Sequence, residues 1–71
     1  MTMFEEFAKE MKVEITTNQN GMYTGMASAL AQAVNEVILS DDETIRTAAW
    51  EYQKEIIKKN FYKVFPYMAR V

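Results

Sequence analysis

The sequence predicts an all-α fold, a small three-helix bundle with a long C-terminal helix, and three observations carry that expectation. Thr2-Met3-Phe4-Glu5 and Ser40-Asp41-Asp42-Glu43 each match a capping box, in which an N-cap hydroxyl and a glutamate three residues later satisfy two otherwise orphaned backbone donors. Apolar residues recur at helical spacing from residue 22 to residue 39. No glycine or proline interrupts residues 41–64.

The first helix begins at the Thr2 box. Phe4, Phe7, Ala8 and Met11 share one side, while Glu5, Glu6, Lys9 and Glu10 take the other, so two turns or slightly more of amphipathic helix follow. Its end is open, because residues 13–17 are β-branched or alternating and also suit an extended chain. Asn18-Gln19-Asn20-Gly21 is the clearest break in the sequence. The plainer reading is a loop. The alternative is an α+β variant with a short hairpin around residues 12–24, in which a type I′ turn at Asn20-Gly21 pairs residues 12–16 with residues 22–24.

In the second helix Met22, Tyr23, Met26, Ala27, Leu30, Ala33, Val34, Val37 and Ile38 gather in an arc of about 160°. Thr24, Ser28, Gln32, Asn35 and Glu36 oppose them, a polar face that argues against a membrane span. Gly21, Gly25, Ala29 and Ala33 form a ladder of small residues that would allow close helix packing. Six methionines, Met22 and Met26 among them, would suit an adaptable groove, although methionine more often fills a core.

The third helix is expected to run unbroken from Asp41 to Val64 and to stop at Phe65-Pro66, because a residue before proline is pushed out of the α region. Glu55 with Lys58 and Lys59 supports its outer face. Ile45, Ala49, Tyr52 and Ile56 form one apolar stripe, and Trp50, Ile57, Phe61 and Val64 a second, displaced by about 120°. One short helix cannot cover so long a rod, so apolar surface is left for another chain. The expected core is Phe4, Phe7, Met11, Met26, Leu30, Val34, Val37, Ile45, Ala49, Tyr52, Ile56 and Ile57.

Seventy-one residues suit a single helical domain spanning residues 1–71, and a domain this small often needs a staple. With neither cysteine nor histidine, disulfides and common zinc sites are excluded. Good packing or homo-oligomerisation remains. The missing cysteines, with an amphipathic first segment where a signal peptide would be continuously apolar, favour a cytoplasmic location. The net charge of −2 conceals a division. Residues 1–43 carry eight acids against Lys9 and Lys12, a net of −6, and residues 44–71 carry six bases against Glu51 and Glu55, a net of +4.

No pairing of carboxylate, lysine, tyrosine or hydroxyl has a catalytic spacing, so no enzymatic activity and no cofactor are expected. Asp41, Asp42 and Glu43 lack the spacing of a calcium loop, and helix initiation accounts for them. The functional candidate is the aromatic and basic segment of the last helix and its exit: Trp50, Lys58, Lys59, Phe61, Tyr62, Lys63, Phe65, Tyr67 and Arg70. Aromatic residues and arginine are enriched at interface centres. The bland alternative makes Phe61 and Phe65 core and the lysines a solvated helix end. The expectation is a non-enzymatic interaction module, or a small accessory or inhibitor protein, that binds a protein partner or itself. The alternative is a small nucleic-acid-binding domain with Lys58, Lys59, Lys63 and Arg70 on phosphates. In size and character alone the chain resembles small accessory proteins of bacteriophages and mobile elements, many of which bind a host protein or one another.

Overall fold

The structure is a computed structural model that describes residues 2–70, with side chains as far as residue 68. It is mostly helical, with three main helices, one additional helical turn and a very small hairpin. The order is α1 (Met3–Glu10), β1 (Thr16–Thr17), β2 (Tyr23–Thr24), α2 (Gly25–Ile38), α3 (Glu43–Arg46) and α4 (Trp50–Val64), followed by a 3-10 segment, Pro66–Arg70. The chain packs as two units, Met1–Gln32 and Ala33–Val71, whose boundary falls inside α2.

In the first unit the Thr2 capping box forms with both arms. The Glu5 amide donates to Thr2 Oγ1 at 3.1 Å, and the Thr2 amide donates to Glu5 Oε1 at 3.3 Å. The far end of α1 closes on a Schellman motif. The Val13 amide donates to the Ala8 carbonyl at 2.8 Å and the Lys12 amide to that of Lys9 at 3.0 Å, with Lys12 itself at φ 59°. Val13 and Ala8, the two positions between which this motif favours an apolar contact, are both buried. That geometry ends the helix where the sequence left its end open.

The hairpin exists, so the preferred loop reading is corrected, and its register differs from the sequence alternative. Thr16 pairs with Thr24 and Thr17 with Tyr23. No type I′ turn forms, since Asn20 does not take positive φ. Asn18 builds the turn instead: its Oδ1 accepts from the amides of Asn20 and Met22, and its carbonyl accepts from the Gly21 amide at 2.9 Å. Gly21 stands at φ 79°, in the position where a three-residue hairpin connection needs a left-handed residue. The two threonine hydroxyls of the Thr16–Thr24 pair lie 2.8 Å apart, and the rings of Phe4 and Tyr23 lie 5.0 Å apart, joining α1 to β2.

Because the hairpin takes residues 16–24, α2 starts three residues later than expected, at Gly25 with φ 60°. Met22 and Tyr23 are exposed and off the helix, as is Gly21 from the supposed ladder of small residues. The remaining apolar arc behaves as expected, with Ala27, Leu30, Ala33, Val34 and Val37 buried. Ile38 and Leu39 at its end are exposed.

In the second unit the expected rod is broken. Its start lies at Asp42, whose Oδ1 accepts from the Thr44 amide at 2.9 Å, while Ser40 Oγ accepts from the Asp42 amide. The cap is therefore two residues later than the Ser40 box predicts. After a single turn the helix stops. Thr47 turns its hydroxyl back onto the Glu43 carbonyl at 2.7 Å, and Ala49 is extended at φ −61°, ψ 148°. Gln53, 8% exposed, reaches back from α4 and donates through Nε2 to the carbonyls of Ile45 at 3.0 Å and Arg46 at 3.1 Å. These bonds supply partners to carbonyls that the break takes out of the helical ladder, which makes the break affordable in hydrogen bonds.

The broken helix also resets the phase of the apolar stripes. Ala49 and Tyr52, expected in the core, are exposed, Tyr52 at 55%. The buried side of α4 is Gln53, Ile57 and Phe61, with Trp50, Lys54 and Asn60 half-buried beside them.

Candidate functional site

Helix α4 holds the candidate residues in fixed angular relation. Its first turn carries Glu51 and its last Lys63, matching the helix dipole, and ion pairs Lys54–Glu51 (3.2 Å) and Lys58–Glu55 (3.8 Å) run along its side. Phe65 ends it outside the α region, at φ −125° and ψ 69°, before Pro66, where the sequence predicts the stop. The chain then folds back into the 3-10 turn, where the Met68 amide donates to the Phe65 carbonyl at 3.0 Å.

An aromatic cluster spans this corner. Phe61 lies 5.0 Å from Phe65 and 6.2 Å from Tyr62, and Phe65 meets Tyr67 edge-on at 6.2 Å. Each such contact contributes about 0.5–1.5 kcal/mol beyond area burial. Phe61 is 1% exposed and anchors the cluster from inside, so the bland reading holds for that residue. Phe65 and Tyr62 are half-buried, and Tyr67 is 59% exposed. The cluster therefore presents Tyr67 to water while Phe61 at its other end is buried.

The other candidates separate by helical angle. Trp50 is half-buried on the core side, and Lys58 is half-buried with its charge on Glu55. Lys59 and Lys63 are exposed on the opposite side, one turn apart. The Arg70 side chain lies outside the described residues. Lys58 and Lys63 are about 140° apart around the helix axis, so the three candidate lysines, Lys58, Lys59 and Lys63, do not converge on a single line. With α3 and α4 separated at residues 47–49, no unbroken rod is present to leave apolar surface uncovered. What remains is a shorter surface: Tyr52, Ile56, Lys59 and Lys63 on the outer side of α4, with Val64 and Tyr67 at its end.

Tyr52, Glu51 and Glu55 belong to this surface and were missed as candidates. The signal was available, since Glu51, Glu55, Lys59 and Lys63 recur every fourth residue and form one ridge of the helix. Among the described residues no group of three or more carboxylates gathers as a metal site, and no helix is long and apolar enough to cross a membrane. No protein-family model, curated protein or solved structure matches the chain.

Proposed function

We propose that this chain is a non-enzymatic interaction module of the cytoplasm that binds protein through the outer face of α4 and the turn after it. The observation that carries this reading is the exposure of Tyr52, Val64 and Tyr67 along the same helix and exit as exposed Lys59 and Lys63, with Tyr67 set edge-on against Phe65. Rigid aromatic side chains flanked by charge contribute contact area at low entropic cost, which is the composition of interface centres. A protein partner is favoured over nucleic acid because the exposed lysines share their ridge with two exposed carboxylates, Glu51 and Glu55. Those carboxylates would repel a phosphate backbone.

The test is site-specific photocrosslinking in native cells, with the photoreactive residue at Tyr52 or Tyr67 and a control at Gln19 in the hairpin loop. A discrete protein adduct from the first two positions, absent from the third and weakened by Lys63→Glu, is the expected result. Equal adducts at all three positions, or none at any, would end the reading.

A further inference from the structure

The ridge Glu51, Glu55, Lys59, Lys63 is antisymmetric in charge: two acids in its first half, two bases in its second. All four side chains are exposed. Within one helix this order places like charges four residues apart at both ends, Glu51 with Glu55 and Lys59 with Lys63, and each such pair costs a few tenths of a kcal/mol. The intrachain pairs offset this for the acids, which bond to Lys54 and Lys58 while remaining open to water. Among the described residues Lys59 and Lys63 form no ion pair.

A two-fold axis crossing the exposed ridge midway between Glu55 and Lys59 turns this pattern onto itself. Antiparallel packing of two copies of α4 sets Glu51 against the partner's Lys63 and Glu55 against the partner's Lys59, and the same pairs recur on the other side of the axis. Ridges of every fourth residue are the ones that interdigitate in the commonest class of helix crossing. Exposed Tyr52 and half-buried Ile56 flank the ridge on one side and half-buried Tyr62 on the other, giving the seam apolar edges. We infer that α4 is a homodimerisation helix, pairing antiparallel with a second copy of this chain through the ridge of Glu51, Glu55, Lys59 and Lys63. This rests on the interaction reading above and names the second copy as the occupant of that face. The wild-type order is self-complementary, whereas a ridge of four like charges is not.

Analytical ultracentrifugation of the full chain at low salt, up to about 1 mM, tests it. Wild type should dimerise, more weakly as salt rises. Lys59→Glu/Lys63→Glu and Glu51→Lys/Glu55→Lys should each lose self-association by at least about tenfold. Mixed one to one, the two variants should pair with each other. Circular dichroism confirms that each remains helical, and should either fail to fold, Lys59→Gln/Lys63→Gln should still weaken the dimer and flatten its salt dependence. A monomeric wild type, self-association of both reversed variants as tight as wild type, or a mixture that stays monomeric would overturn the inference. A monomeric wild type whose Tyr52 still crosslinks a different protein would overturn the dimer and leave the interaction reading intact.

Discussion

The side-chain amide of Gln53 donates to the carbonyl of Arg46 at 3.1 Å and, from the same nitrogen, to that of Ile45 at 3.0 Å. One buried polar side chain thus closes the end of α3 from within α4. Gln53→Leu keeps the apolar stem and removes the donor, so it should cost about 1–3 kcal/mol in urea unfolding. Gln53→Glu should cost at least as much, because a carboxylate cannot donate and would face two carbonyl oxygens. An unchanged midpoint for both variants would show that these bonds do not hold the break.

Ala49 occupies the N-cap of α4 in an extended conformation and offers no side-chain acceptor to the first turn. Ala49→Asp or Ala49→Ser supplies one at an exposed position. Either should stabilise the fold by about 1 kcal/mol, with aspartate gaining further from the helix dipole. Thermal unfolding reads this directly. In a continuous helix the same substitutions would be neutral or destabilising, so the sign of the change tests the break itself.

Lys12 holds a left-handed conformation that a side chain makes unfavourable by roughly 1–2 kcal/mol. Lys12→Gly should raise stability by about 0.5–1 kcal/mol, part of the relief being lost to the more flexible unfolded chain. Lys12→Val should do the reverse, since branching at Cβ crowds that conformation further. Paired chemical denaturation curves of the three proteins give the ordering.

Asp42, two residues beyond the cap that sequence predicts, carries the bond to the Thr44 amide. Asp42→Ala should cost about 0.5–2 kcal/mol of unfolding free energy. Ser40→Ala removes only the acceptor for the Asp42 amide outside the helix and should cost less. A larger loss at Ser40 would restore the earlier cap.

Features encoded locally were legible in the sequence. The Thr2 box needs only four residues to specify it, and the α2 arc follows from periodicity alone, which is why Leu30, Val34 and Val37 are where the pattern puts them. The hairpin was undervalued because its strands are two residues each and its turn is organised by the Asn18 side chain, a different asparagine from the one in the Asn20-Gly21 signal. The break in the third helix left no mark at all. Thr47-Ala48-Ala49 contains no helix breaker, and the side chain that makes the break tolerable lies farther along the chain at Gln53. Tyr52 was lost to the core by the same error, since its stripe with Ile45 aligns only if the helix between them is continuous. The positions of Lys59, Lys63 and Tyr67 do not depend on that continuity, and all three are exposed as the sequence predicts.

A helical turn that is tied off by a side chain from its neighbour has its own door. Releasing Gln53 frees the carbonyl end of α3 while the backbone ladder of α4 stays closed, so the amides of residues 45–47 should exchange with deuterium through a shallow local opening and those around Ile57 through deeper, larger-scale unfolding. The chain then has two tiers of protection, one in α3 and one in α4, separated at Thr47.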